Sequence, residues 1–322
     1  MRIFVAGATG VIGGRIVPML IGAGHQVVGM TTSAATARQV EGMGAEAAVA
    51  DGLDAGAVTT AVLEARPEVV VHQMTALKAF TDIRRFDQAF AVTNRLRTEG
   101  TDHLLAAART AGARRFVAQS FAGWPFARTG GPVKSEGAEL DPDPPAAFRR
   151  TIDAIRHVES ATLSTGGIEG IVLRYGGLYG PGTSMDEGGW AVEAVRRRRF
   201  PLVGEAGGVW SFVHADDAAT ATLLAIERGA PGIYHVVDDD PAPVSDWLPA
   251  LAEAIGARPP RRVPAWVGRL VAGEHGLVLM TEIRGASNAK AKRDLGWRPR
   301  FPSWRDGFIS ELGLGPASRR AA

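Results

Sequence analysis

The sequence contains no cysteine, which excludes disulfides, thiolate nucleophiles and Cys-ligated zinc or iron–sulfur centres. Two other proton carriers are scarce. There are three tyrosines (Tyr175, Tyr179, Tyr234) and four lysines (Lys78, Lys134, Lys290, Lys292), and arginine carries the rest of the positive charge. No tyrosine is followed four residues later by lysine; those positions hold Tyr179, Thr183 and Asp238. No apolar run approaches the roughly 18 residues of a membrane span. Neither sign of charge is in excess: 36 basic and 34 acidic residues leave a formal charge of +2 over 322 residues, which is no nucleic-acid footprint. The seven histidines show no metal-ligand spacing, so no metal site is expected. Met1-Arg2 runs straight into Ile3-Phe4-Val5-Ala6, with no room for a signal peptide, so a cytoplasmic location is the expectation.

What is present is 46% hydrophobic content, enough for a sizeable core. Short β-branched runs alternate with longer stretches of helical spacing, the pattern of βαβ units around a parallel sheet. Strands are expected at about 2–6, 26–30, 47–50, 68–72, 115–119 and 169–173, with helices at 10–22 and 87–111. Gly and Pro punctuation thickens after Gly176. Residues 209–214, a helix over 216–227 and a strand at 232–236 read as a return to the sheet, and 244–312 as short helices. The expected class is α/β: a doubly wound Rossmann domain over 1–175, its sheet completed by about 209–237. A smaller, mainly helical substrate lobe is expected from 176–208 and 238–322.

The first strand leads into Gly7-Ala8-Thr9-Gly10-Val11-Ile12-Gly13, which opens an amphipathic helix. Glycines allow a tight turn and close backbone approach, and free amides at a helix N-terminus favour a pyrophosphate. The spacing GxxGxxG, in that context, resembles the extended short-chain dehydrogenase/reductases, the NAD-dependent epimerase/dehydratase family. Six further segments follow in order: Ala50-Asp51-Gly52-Leu53; Val69-Val70-Val71-His72; Asn94 with Gly100-Thr101-Asp102-His103-Leu104-Leu105; Arg115-Phe116-Val117-Ala118-Gln119-Ser120; Leu173-Arg174 with Tyr179-Gly180-Pro181-Gly182; and Phe212-Val213-His214-Ala215-Asp216-Asp217.

The resemblance implies a nicotinamide dinucleotide held by Gly7, Thr9, Gly10, Val11, Ile12 and Gly13. It places Asp51, Gly52 and Leu53 at the adenine, and Met74, Thr75, Ala76, Asn94 and Gln119 along the cofactor. For Asp51 a helix cap or turn is the alternative reading. Thr31-Thr32-Ser33 end the second strand with no carboxylate to repel a 2′-phosphate, and Arg38 is nearby, so NADP is preferred to NAD.

The family's proton relay joins a hydroxyl to a Tyr-x-x-x-Lys pair, with the lysine lowering the tyrosine pKa. Ser120 matches the hydroxyl. Taking Glu159 as the acidic residue four after the lysine places Thr151 at the tyrosine position and Ile155 at the lysine position. Lys134, between Ser120 and that helix, is the candidate replacement acid, with a solvated loop charge as its alternative. Trp124, Tyr175, Trp190 and Trp210 are the candidate substrate pocket, apolar or aromatic. Trp210-Ser211-Phe212 stands where nucleotide-sugar enzymes carry Arg-Asp-Phe, and Phe121-Ala122 after Ser120 provides no Asp-Glu pair, so neither a nucleotide sugar nor a sugar dehydratase is expected. Arg196–Arg199 read as a solvated face.

The leading expectation is an NAD(P)-dependent oxidoreductase acting on a small or apolar carbonyl, hydroxyl or alkene with a non-standard proton donor. A redox-neutral isomerase or cyclase and a nucleotide-sensing regulator are the alternatives. The resemblance also implies a homodimer through helices at 87–111 and 147–163.

Overall fold

The structure is a computed structural model and describes residues 1–77 and 85–313. Lys78 lies outside the described residues. Seven parallel strands form the central sheet: β1 (Arg2–Ala6), β2 (Gln26–Thr31), β3 (Glu46–Val49), β4 (Val69–His72), β5 (Arg115–Phe121), β6 (Glu169–Tyr175) and β7 (Gly232–Val236). Their order is β7-β6-β5-β4-β1-β2-β3. Chain order reverses between β1 and β4, which opens a crevice beyond their C-terminal ends. All four residues of β4 are buried, as befits a strand covered on both faces.

Helices α1 (Gly13–Gly22), α2 (Ala34–Gly42), α3 (Ala55–Ala65), α4 (Phe86–Arg97), α5 (Glu99–Thr110) and α6 (Arg149–Ser164) connect these strands. One core cluster joins α1 residues Ile16, Val17 and Leu20 to Val5, Val71 and Leu173 of the sheet. On the opposite face Val58 and Val62 of α3 and Leu104 and Leu105 of α5 meet Phe4, Val70 and Phe116.

Three boundaries differ from the sequence expectation. The first helix begins at Gly13 rather than residue 10, because residues 7–12 form the turn. The helix expected over 87–111 is two helices, broken at Thr98 (φ −98°, ψ −83°), whose hydroxyl turns back to the Asn94 carbonyl at 3.1 Å. Of the stretch 209–237, only Gly232–Val236 enters the main sheet. Val209–Trp210 pairs antiparallel with Ala242–Pro243, and Phe212–His214 runs parallel to Gly177–Tyr179. The chain leaves the sheet at Gly176, where a Cβ would stand 2.7 Å from the Ser211 carbonyl oxygen.

The remaining helices are α7 (Trp190–Arg196), α8 (Ala215–Arg228), α9 (Val244–Ala254), α10 (Ala265–Thr281), α11 (Ala289–Leu295) and α12 (Trp304–Leu312). A further cluster unites α7, α9 and α12 around Phe212, Trp247, Trp304 and Phe308. Residues Ala291, Leu295 and Trp297, expected in the smaller lobe, instead pack into the core under the sheet, and Trp297 Nε1 donates to the Asp217 carbonyl at 3.1 Å. No helix among the described residues is long and apolar enough to cross a membrane.

Two of the buried histidines, His72 and His235, are held neutral far below the ordinary histidine pKa. His72 lies at the end of β4, with Nδ1 accepting from the Met74 amide and Nε2 facing the Leu96 carbonyl, both at 3.2 Å. Burial pushes its pKa down to about 4, and burial with the neighbouring Arg174 pushes His235 down to about 3. Below the ordinary value of 6.5 the unfolded chain therefore binds protons that the folded chain refuses. Stability is fully present above pH 6.5 and is lost as pH falls toward 4, with His72 alone accounting for about 3 kcal/mol. Thermal unfolding followed from pH 7 to 4 is expected to show Tm falling throughout that window; a flat Tm contradicts it.

Candidate active site

The glycine turn is built for something without bulk. Gly7 sits at φ +89°, and a Cβ there would stand 2.7 Å from the Gln73 carbonyl oxygen. A Cβ on Gly13 would fall 2.1 Å from the Gly7 carbonyl oxygen, which also accepts the Gly10 amide at 3.0 Å. The amides of Gly7 and Ala8 both donate to Met30 O at 3.2 Å, fixing the turn to β2. No side chain caps α1, and among the described residues no acceptor takes the amides of Val11 and Ile12. Free donors, a helix N-terminus and a cradle that any Cβ would fill suit a pyrophosphate. Thr9 is half-buried in the same turn. Arg15 closes its edge, bonded to Asp216 Oδ1 at 2.6 Å and to Pro181 O at 2.7 Å.

At the far end of the crevice Thr31 is buried and donates to Thr36 Oγ1 at 2.6 Å, while Ser33 caps α2 through the Thr36 amide. Thr32 and Arg38 are exposed. Asp51 Oδ1 accepts the Leu53 amide at 3.0 Å, so this carboxylate shapes a turn, and Asp54 is the cap of α3. Gly52 lets the chain close on Met74, whose sulfur would lie 2.5 Å from a Cβ there. Met74 is thus a core side chain, and only its backbone faces the loop after β4. That loop is pinned at three points: the Met74 amide on His72, the Met74 carbonyl on Gln119 Nε2 at 3.3 Å, and the Ala76 amide on Thr93 Oγ1 at 3.0 Å. Thr75 stays exposed beside them.

The three expected catalytic residues do not meet. Ser120 is 4% exposed and donates its proton to Glu159 Oε1 at 2.6 Å. Glu159 is gripped by Arg174, with Nε to Oε1 at 2.7 Å and Nη2 to Oε2 at 2.6 Å. The hydroxyl matched to the family's proton relay therefore serves a buried ion pair. Thr151 is fully buried and accepts from Asn94 Nδ2 at 3.0 Å, while Asn94 Oδ1 is buried without a partner. Lys134 lies on a two-residue strand beside Gly285–Ala286, and its Nζ is held by the Thr129 carbonyl rather than by Ser120, Glu159 or Thr151. Ile155, at the lysine position, is fully buried.

Tyr175 is likewise not a pocket residue. Its hydroxyl bonds Gln73 Nε2 at 3.0 Å and Thr222 Oγ1 at 2.7 Å, and burial pushes its pKa up to about 12. The tryptophans divide. Trp124 stands with ring centroids 4.8 Å from Phe148, 5.4 Å from Phe86 and 5.9 Å from Phe121, and Phe86 stacks on Phe90 at 4.2 Å. Trp210 borders this cluster and donates from Nε1 to Leu279 O at 3.0 Å. Trp190 packs instead in the lobe, on the cluster around Phe212 and Trp247. The aromatic group thus gathers the end of β5, the starts of α4 and α6, and Val278 and Leu279 of α10. Sequence reading missed Phe86, Phe90 and Phe148; the i, i+4 spacing of Phe86 and Phe90 was the available signal. Arg196 and Arg197 both pair with Glu193, at 2.9 and 3.4 Å, as a solvated face would.

A sequence model described as the NAD dependent epimerase/dehydratase family matches residues 3–236. A 3-diazoavenalumate denitrifying reductase from a Streptomyces species is 46% identical over 312 residues, 97% of this chain and 100% of the relative. A 2-alkyl-3-oxoalkanoate reductase from Stenotrophomonas maltophilia is 29% identical over 80% of this chain and 76% of its own length. The UDP-glucose 4-epimerase of Thermus thermophilus, solved with NAD, superposes with a TM-score of 0.73 at 25% identity, covering 97% of this chain and 98% of that one. The chain is an enzyme of the oxidoreductase class. It belongs to the NAD dependent epimerase/dehydratase family.

Proposed function

We propose that the chain is a nicotinamide-dependent reductase of an aromatic or conjugated diazo compound, replacing nitrogen by hydrogen. The observation that carries this reading is an intact dinucleotide cradle beside an aromatic cluster with no Tyr-x-x-x-Lys pair: Ile155 stands at the lysine position and the Ser120 hydroxyl donates to Glu159. Reduction of a carbonyl delivers a hydride to carbon and a proton to oxygen, and the second task needs an acid. Here Ser120 donates to Glu159, Lys134 donates to the Thr129 carbonyl, and Ile155 has no proton to give.

A diazonium carbon requires no acid: with hydride supplied by the reduced cofactor, a C–H bond forms, the C–N bond breaks, and its electron pair leaves with neutral N₂. The Streptomyces relative is named for a diazo substrate and a denitrifying reduction, which supports this class for the present chain. Half-buried Phe90 and Phe121, at the margin of the buried cluster, offer a planar conjugated substrate aromatic surface, and ring faces also favour a cationic group. They exclude water as well, which would otherwise attack the electrophile. NADPH is the preferred reductant, since the end of β2 carries no carboxylate and exposed Thr32 lies near exposed Arg38.

The test is to supply NADPH or NADH with a hydroxyaryl diazonium acid, following absorbance at 340 nm together with released N₂. One N₂ per NADPH is expected, with Lys134→Ala and Ser120→Ala retaining turnover within about tenfold, below the usual contribution of a general acid. Turnover of ketones alone, or collapse of turnover in Lys134→Ala, overturns the reading.

A further inference from the structure

Arg97, near the end of α4, is 5% exposed, and its Nε and Nη1 are buried without a hydrogen-bond partner. Its guanidinium lies 5.9 Å from the centre of the Phe90 ring, at the margin of the aromatic cluster. Burial draws its pKa down only to about 10, so it is charged at neutral pH. The carboxylate acting on it is Glu159, whose two oxygens are already taken by Arg174 and Ser120. His72 and His235 are neutral there. One carboxylate thus faces two buried guanidiniums, and the second is left uncompensated. A buried cation with idle donors is costly, and it persists where a ligand completes it.

Its position indicates which ligand. One turn earlier on α4, Thr93 holds the Ala76 amide in the loop after β4, and Leu96 carries the carbonyl facing His72. The Asn94–Thr151 bond ties α4 to α6, and both helices run back from the C-terminal edge of the sheet. Arg97 stands one turn beyond Asn94 on α4, and Ile155 one turn beyond Thr151 on α6, the position where the resemblance to the family implies a lysine.

We propose that Arg97 is a dinucleotide-binding residue, its Nε and Nη1 donating to oxygens on the nicotinamide half of the cofactor in place of the lysine that α6 lacks. This rests on the cofactor part of the proposed function and not on the choice of substrate. Guanidinium is always charged and carries its donors in a fixed fork, so it can serve from a neighbouring helix a task for which Ile155 has no donor.

The test measures NADPH dissociation constants for the full chain by tryptophan fluorescence, without any substrate, beside thermal unfolding of the apoprotein. Arg97→Ala is expected to weaken NADPH about tenfold or more, and Arg97→Lys to recover part of the loss. Tm of Arg97→Ala is expected to equal or exceed that of the parent, because an uncompensated charge leaves the interior. An Arg97→Ala affinity within about twofold of the parent overturns the proposal. So does a loss of affinity that accompanies a lowered Tm and is not mended by lysine, the mark of a purely structural guanidinium. A wrong substrate class would leave these binding constants untouched, so the two readings fail separately.

Discussion

Replacing Gly13 with alanine is expected to abolish dinucleotide binding. The new Cβ would lie 2.1 Å from the Gly7 carbonyl oxygen and within 2.9 Å of the Ala8 backbone. Every one of those atoms is main chain, so no flexible side chain can yield. Gly7 cannot retreat either, because at φ +89° it is already wedged against Gln73 O. The turn must open, carrying the amides of Val11 and Ile12 out of register with a pyrophosphate. A loss of about a hundredfold or more in NADPH affinity is expected, with about 1–3 kcal/mol of overpacking added to the cost in stability. Gly14 supplies the control: it lies in α1 with nothing within 4 Å of its virtual Cβ. Gly14→Ala should bind as the parent does and gain about 0.5–1 kcal/mol of stability. Equal affinities for the parent and Gly13→Ala would contradict the placement of the cofactor.

Local chemistry was legible in the sequence where one stretch of chain decides the outcome. The glycine turn was readable because Gly7, Gly10 and Gly13 meet within a single strand–helix junction, and the sheet because β1, β4, β5 and β6 are short apolar runs. That no Tyr-x-x-x-Lys motif occurs was readable too, since it is a local fact of the sequence.

Roles set by partners far along the chain were not legible. Ser120 matched a motif position, yet its hydroxyl is claimed by Glu159, 39 residues on, and nothing near Ser120 indicates that bond. Tyr175 looked available until Gln73 and Thr222 enclosed it from two other elements. The aromatic cluster draws on residues from Phe86 to Ile283, and side chains so separated show no common periodicity. The break at Thr98 was hidden because apolar spacing continues across it from Leu96 to Leu104, and a helical pattern does not register a change of axis.

The buried ion pair supports the second large expectation. Replacing Glu159 with leucine would leave the Arg174 guanidinium without its two short bonds and the Ser120 hydroxyl without its acceptor, while Arg97 would lose the carboxylate that acts on it. Breaking one side of a buried pair costs about 3–5 kcal/mol, because the surviving charge cannot be resolvated. Removing both members, as Glu159→Leu with Arg174→Leu, should cost markedly less, since no charge is stranded by the pair itself. Urea unfolding of the two singles and the double would read this as a large coupling energy, and near-additive losses would contradict it. Activity separates scaffold from chemistry in the same variants. If Ser120 and Glu159 only hold β5 against α6, Glu159→Gln should retain turnover per folded molecule at temperatures below its lowered Tm. A kcat that falls while the protein remains folded would return Ser120 to the reacting centre and restore the need for an acid.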